Sequence, residues 1–156
     1  MKKQQKGFSL IELLIVVAII LIIAAIAIPN LLRSKMAANE ASAVGSVRTL
    51  NTACVSYSTT YGGYPAALTN LGPASAATST TADLVDSVLA SGTKSGYVFT
   101  YTAGATDANG NVLAYTLTAD PVTRGTTGQR GFFSDQSGVI RADATTTATV
   151  TSTPIS

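Results

Sequence analysis

The sequence predicts an α+β fold in which one very long N-terminal helix packs against a small antiparallel sheet of about four strands. The helix is indicated by apolar residues that run without interruption over residues 13–28 and then recur every three or four residues as far as Tyr61. From residue 96 the apolar period changes to two, which is typical of half-buried strands. The sequence Gly-Gly-Tyr-Pro at residues 62–65 separates the two patterns, because glycine and proline end helices.

Residues 8–32, FSLIELLIVVAIILIIAAIAIPNLL, form the hydrophobic part of the predicted helix. As a helix this segment would be about 37 Å long, against a hydrocarbon core of roughly 30 Å. We therefore expect it to begin in a lipid bilayer. Three lysines precede it, and Arg33 and Lys35 follow it, so the positive-inside rule gives only a weak preference for a cytoplasmic start.

Three kinds of segment fit this pattern: a plain membrane anchor, a secretory signal peptide cleaved after Ala27, and a helix kept on the mature protein after processing at Gly7-Phe8. Glu12 bears on the choice, because a charge near the bilayer centre costs roughly 2.5–3.5 kcal/mol. Its position near the end of the segment lowers that cost, but the carboxylate still needs a partner. Cleavage after Gly7 would expose an amine on Phe8, and a neighbouring subunit's amine could neutralise Glu12. The alternative is a pair with the amine of its own chain.

The residues K-G-F-S-L-I-E-L-L-I-V-V-A-I-I, followed by A-I-A-I-P-N, closely resemble the type III signal sequence of type IV pilins and of the related pseudopilins of type II secretion. The resemblance extends to about residue 50. It implies that a membrane-embedded prepilin peptidase cuts after Gly7 and then methylates the new amine of Phe8. The family's acidic assembly residue falls on Glu12, and its helix-breaking proline falls on Pro29. In the assembled filament, residues 20–29 would be extended.

The resemblance also implies a ladle-like subunit and a set of partners. These are copies of the same chain in a homopolymer, the prepilin peptidase and methyltransferase, an inner-membrane assembly platform, and membrane lipid before assembly. The subunit would first be a single-pass inner-membrane protein with its leader in the cytoplasm and its head in the periplasm. Assembly would then place it in a cell-surface pilus or a periplasmic pseudopilus.

The function predicted from these features is that of a structural subunit of a bacterial type IV pilus. The alternative is a pseudopilin of a type II secretion system, since YPAALTNL has a spacing shared by many pseudopilins. Many type IV pilins also carry a C-terminal disulfide, which a chain with Cys54 as its one cysteine cannot form. Against that alternative, the head lacks the Trp-rich and acidic C-terminal features of the major pseudopilin. A third interpretation, from another class, is a secreted binding module freed by cleavage after Ala27.

Composition argues against other functions. The chain has no histidine, so the commonest general base near neutral pH is missing, and we expect neither an enzyme nor a cofactor. Without the leader lysines, seven Arg and Lys face eight Asp and Glu, which gives no basic stripe for nucleic acid. Asp120, Asp135 and Asp143 are the candidates for a calcium site of the kind some pseudopilins carry near the C-terminus. Asp107 begins a predicted turn, and Cys54 lies on the apolar helix stripe as a buried thiol.

The predicted boundaries place a cleaved leader at residues 1–7, the hydrophobic helix at 8–32 and a globular head at 33–156. Within the head, the amphipathic half of the long helix covers 33–61, a connecting loop with a short helix covers 62–95, antiparallel strands cover 96–142, and a Thr-rich tail covers 143–156. The short helix is placed at about 82–90, after a capping box at residues 80–83. The tail is predicted to be a flexible end or a loose edge strand.

Overall fold

The computed structural model describes residues 7–155. These residues form two compact units, of which the first ends at Lys35 and the second begins at Met36. Helix α1, Leu10–Tyr61, runs through both units, so the long predicted helix is confirmed except for its first two residues. Most of the predicted leader, residues 1–6, lies outside the described residues, and its prediction stands untested.

In the second unit α1 is amphipathic, and one stripe of its side chains is buried. Ala43, Val47, Leu50 and Cys54 are fully buried and recur every three or four residues, as one face of a helix requires. The helix ends because Gly62 adopts a positive φ of 83°, and its N–H donates to the carbonyl of Ser58 at 2.9 Å. This is a glycine C-cap, in which the missing side chain removes the steric cost of the left-handed conformation.

The connection between α1 and the sheet contains a 3₁₀ turn, Leu68–Leu71, and a short helix α2, Ser87–Ala90. The prediction of a helix over residues 82–90 is therefore wrong at its start. The N–H groups of Ala82 and Asp83 donate instead to the carbonyls of Asn70 and Gly72, at 2.8 and 2.9 Å, so they are not available for a helix. The cap of α2 is Asp86, whose carboxylate accepts the N–H of Leu89 at 2.6 Å, and the predicted capping box at residues 80–83 does not form.

The sheet has six antiparallel strands that are neighbours in chain order, where about four were expected. The strands are β1 Thr93–Lys94, β2 Tyr97–Ala103, β3 Tyr115–Pro121, β4 Gly131–Asp135, β5 Arg141–Asp143 and β6 Thr153–Pro154. The two strands beyond the expected four, β1 and β6, lie at the edges and have two residues each. A strand of two residues shows no alternation, so the period-two signal could not reveal it.

The inner face of the sheet packs on α1 and forms the core. Tyr97 and Phe99 of β2, Tyr115 and Leu117 of β3 and Phe132 of β4 are all buried, which confirms the predicted aromatic and aliphatic face. The alternation begins only with β3 itself: Leu113, two residues before its start, is 57% exposed.

Among the polar contacts between α1 and the sheet with its connecting loops, one buried and one surface contact involve several hydrogen bonds each. In the buried one, Asn51 donates its amide to Ser134 Oγ at 2.7 Å and accepts the hydroxyl of Tyr115 at 3.1 Å. At the surface, Glu40 accepts the N–H groups of Gln129 and Arg130 at 2.9 and 3.1 Å and the guanidinium Nε of Arg130 at 2.8 Å. These bonds are directional, so they restrict how α1 sits on the sheet more narrowly than apolar packing does.

The terminal segment, residues 144–155, lies against the outer face and the β5 edge of the sheet. Ala148 is buried, and the carbonyls of Thr146 and Ser152 accept side-chain N–H groups of Arg124 and Arg141 at 3.0 and 3.1 Å. Strand β6 pairs with β5. The predicted edge strand of this tail is therefore present. The anchoring groups are backbone carbonyls, which leave no trace in the sequence.

Candidate functional site

The apolar part of α1 exposes nearly all of its side chains. From residue 7 to residue 35 every residue is exposed apart from Ala24, which is half-buried. The helix is long and apolar enough to cross a membrane, although length and composition alone are weak evidence that it does. An apolar surface of this extent exceeds what a soluble monomer leaves uncovered, so it needs lipid or protein around it. This helix is the candidate functional site.

Glu12 lies in the first turn of this helix and, together with Ser9, caps its N-terminus. The N–H of Ser9 donates to Glu12 Oε2 at 2.9 Å, and the N–H of Ile11 donates to Ser9 Oγ at 3.4 Å. The two side chains thus satisfy N–H groups that have no helical partner at the N-terminus. Among the described residues no cation forms a salt bridge with Glu12.

Sequence reasoning missed this cap, although the pattern Ser-x-x-Glu at residues 9–12 is its signature. The carboxylate therefore has a hydrogen bond within its own chain. Only one carboxylate oxygen, Oε2, takes part in that bond.

Gly7 and Phe8 precede the helix and have no regular secondary structure. Phe8 is 83% exposed, and a Cβ atom added at Gly7 would meet no atom within 4 Å. The peptide bond between them is thus open to solvent and free of helical hydrogen bonds. Gly7, Phe8 and Glu12 all lie within about two turns of one another in the chain.

Pro29 lies inside α1, which continues through it without interruption. A proline has no N–H to donate, so the carbonyl of Ala25, four residues earlier, loses its helical partner. Along the helix Pro29 is about 26 Å from Glu12, so the two predicted site residues do not meet within one chain.

The N-terminal part of this chain is similar to known proteins. The family described as "Prokaryotic N-terminal methylation motif" matches residues 2–28. The type IV wide pilus major component PilA4 of Thermus thermophilus is 60% identical over 38 residues, which are 24% of this chain and 29% of that protein. The type IV major fimbrial protein FimA of Dichelobacter nodosus is 52% identical over 58 residues, which are 35% of this chain and 37% of that protein.

The resemblance to type IV pilins is confirmed. The matches with these pilins span roughly a third of each relative, 29% and 37% of its length. The pilin-like fold, a long N-terminal helix on a small antiparallel sheet, is present in the structure. The apolar N-terminal helix also fits the membrane-anchored stage of a pilin.

The three aspartates considered for calcium do not form a site. Asp120 pairs with Arg124 at 3.5 Å, Asp135 accepts the N–H of Ser137 at 2.8 Å, and Asp143 caps the turn that follows it. Within residues 7–155 no three Asp, Glu, Cys or His side chains cluster as metal ligands would. Asp107 accepts the N–H groups of Asn109 and Asn111 at 2.8 Å each, which is the predicted turn.

The remaining candidate side chains belong to the core. Cys54 is buried, and this burial raises the pKa of its thiol to about 12, so the reactive thiolate is scarcely populated. The ring centroids of Tyr57 and Tyr61 lie 4.7 Å apart, and those of Tyr64 and Tyr115 lie 4.8 Å apart. These are ordinary packing distances for aromatic side chains.

Proposed function

We propose that this chain is a structural subunit of a bacterial type IV pilus. A prepilin peptidase removes residues 1–7 and methylates Phe8. The subunit waits in the inner membrane, with its leader end in the cytoplasm and its head in the periplasm, until an assembly platform moves it into the filament. Copies of the chain then polymerise through the apolar helix, and lipid is exchanged for protein.

The observation that carries this proposal is the exposed apolar segment of α1, most of which lies within the matched methylation motif. A plain anchor would need the same hydrophobicity, and a cap at its first turn would not require a charged residue, whereas pairing with a neighbouring amine does. The relatives that share the segment are a pilus component and a fimbrial protein. A helix that is hydrophobic on all sides suits both stages, since either lipid or neighbouring helices can cover it.

The position of the cleavage site supports the processing step. The Gly7-Phe8 bond precedes the first helical residue, Leu10, so a peptidase can reach it without unwinding the helix. Cleavage leaves the new amine of Phe8 close to the positive end of the helix dipole, an unfavourable place for a cation. A carboxylate from another subunit would relieve this, and Glu12 can supply one because its Oε1 is not engaged in the cap.

Pro29 is the proposed point of extension during assembly. The carbonyl of Ala25 already lacks a helical donor, so unwinding the turns before Pro29 sacrifices fewer hydrogen bonds than unwinding elsewhere. Residues 20–29 would lengthen the subunit as neighbouring copies take the place of lipid.

Three variants of the full-length chain, expressed in a piliated host, test the role of Glu12. Glu12→Ala should be processed and inserted into the membrane but should give no filaments. Glu12→Gln keeps an acceptor for the Ser9 N–H but has no charge, so it should fail in the same way. Ser9→Ala is the matched control: it loses the cap hydroxyl, keeps the carboxylate and should assemble. Abundant normal filaments from Glu12→Ala would defeat the proposed pairing.

Intact mass and electron microscopy test the rest. The mature protein should lack residues 1–7 and carry one methyl group on Phe8, whereas loss of residues 1–27 would refute the filament role. Sheared cells should yield long surface fibres that contain this chain. Correct processing without fibres at native expression would instead indicate a pseudopilin in a short periplasmic assembly.

A further inference from the structure

Arg48 is the one cationic side chain of residues 36–155 that makes no ion pair and no side-chain hydrogen bond within the described part of the chain. Three others are paired with carboxylates: Lys94 with Asp86, Arg124 with Asp120, and Arg130 with Glu40. Arg141 donates to the carbonyl of Ser152. Arg48 is exposed and lies beside the core stripe, one residue after the buried Val47.

A groove runs beside Arg48 on one flank of α1. Its volume is about 490 Å³, and it lies between α1 and the turn that joins β4 to β5. Arg48, Thr52 and Val55 line its helix side, and Gln136 and Gly138 line its turn side. Val55 is 53% exposed, so the groove offers one cation next to an uncovered aliphatic side chain.

An acidic and apolar ridge, Asp83–Val88, stands on the opposite flank of α1. The side chains of Leu84 and Val88 are 38% and 53% exposed. Asp83 is exposed and has a strained positive φ of 52°, and the one hydrogen bond to its carboxylate is a long one, 3.4 Å from the N–H of Ala74. Leu84 lines a second groove together with Thr49 and Ser56, and Arg48 and Thr52 line both grooves. The ridge therefore presents one carboxylate next to two exposed aliphatic side chains.

We propose that the ridge of one copy docks in the groove of a second copy, with Asp83 against Arg48 and Val88 against Val55. The two surfaces differ and lie on opposite flanks of the same helix, so the contact is heterologous and each copy keeps one free surface of each kind. A heterologous contact that does not close into a ring produces an open helical filament. This inference rests on the proposed function, because it names the contact between heads in the polymer.

Charge reversal tests the pairing in the full-length chain. Arg48→Asp and Asp83→Arg should each lower the yield of sheared filaments by at least about tenfold, because each places like charges together at the contact. The double variant restores opposite charges and should return most of that yield. Asn109→Arg is the matched control, since it adds a cation on an exposed loop that lines neither surface, and it should assemble normally. The processed membrane pool should be equal in all four variants.

Crosslinking gives a second measurement in assembled filaments. A variant with both Arg48→Cys and Asp83→Cys, treated with a short bismaleimide, should give a ladder of linked subunits, and either single variant should give none. The native Cys54 does not interfere, because it is buried.

The two hypotheses fail differently. If the wild-type chain forms no filaments, the proposed function fails. If wild-type filaments form but both reversals assemble normally, or the double variant is not rescued and no ladder appears, the docking of ridge and groove is refuted.

Discussion

The buried contact between Asn51, Tyr115 and Ser134 can be tested by replacing Asn51 with leucine, which has a similar volume. Tyr115 is 1% exposed and Ser134 is fully buried, so both partners of the Asn51 amide lie away from bulk solvent. The Tyr115 hydroxyl would lose its acceptor, and Ser134 would lose its donor but keep its own bond to the carbonyl of Val139 at 3.1 Å. A stranded buried hydroxyl costs about 1–3 kcal/mol, so we expect Asn51→Leu to lower the free energy of unfolding by about 2–4 kcal/mol.

The substitution Tyr115→Phe separates the cost of the unpaired Tyr115 hydroxyl from the cost of changed packing at residue 51. Tyr115→Phe alone should cost about 1 kcal/mol, the net value of one hydrogen bond. Combined with Asn51→Leu it removes the stranded hydroxyl, so the double variant should be more stable than the sum of the single costs by at least about 1 kcal/mol.

The assay is urea unfolding of the full chain in detergent, followed by the near-ultraviolet circular dichroism of the tyrosines. This signal reports the packed head, where the buried tyrosines lie. If the two costs simply added, or if Asn51→Leu unfolded at the wild-type urea concentration, the network would not hold α1 on the sheet.

Three further outcomes are expected from the head. Glu40→Ala should lower the free energy of unfolding by about 2 kcal/mol, because three donors lose a charged acceptor, and Glu40→Gln should cost less because one oxygen remains for the two N–H groups. Burial raises the pKa of Glu40, but the hydrogen bonds from Gln129 and Arg130 outweigh this effect and hold the pKa below its usual value. The N–H groups of the turn that follows Asp143 lower the pKa of Asp143 to about 2. The folded state therefore binds fewer protons than the unfolded state below about pH 4, and acid titration should show stability falling from there toward pH 2. Cys54 should react with maleimide only after denaturant is added, and fast labelling of the folded chain would show that the core is open.

The sequence was most informative where the pattern was long. Residues 13–28 are apolar without interruption and residues 32–61 show the helical period over many turns, and both ends of α1 agree with prediction within two residues. The strands β2, β3 and β4 likewise show apolar alternation or an aromatic run between turn residues. In these elements local preference and tertiary packing favour the same structure, so the pattern alone suffices.

The misses lie where tertiary hydrogen bonds decide the local structure. Residues 82–85 have helical composition, but their N–H groups are taken by the carbonyls of residues 70–72. The terminal segment has little apolar bulk, and its place depends on arginines distant in sequence. At the candidate site, Gly7, Phe8, Glu12 and Pro29 were recognisable from the motif. The Ser-x-x-Glu pattern at residues 9–12 also indicates the N-terminal cap, in which Glu12 acts as a hydrogen-bond acceptor.

Hydrogen bonds and strand pairing, and no disulfide, hold the terminal segment on the sheet, and this determines how it responds to reducing agents and to denaturant. Many proteins of the resembled family use a disulfide bond in this region, whereas here two arginine side chains reach backbone carbonyls and a two-residue strand adds to the sheet edge. Reducing agents do not break hydrogen bonds, so the segment should stay bound to the sheet in a reducing medium. When denaturant solvates the arginines, no disulfide holds the segment against the sheet, so it should detach. It should return to the sheet as soon as the denaturant is removed.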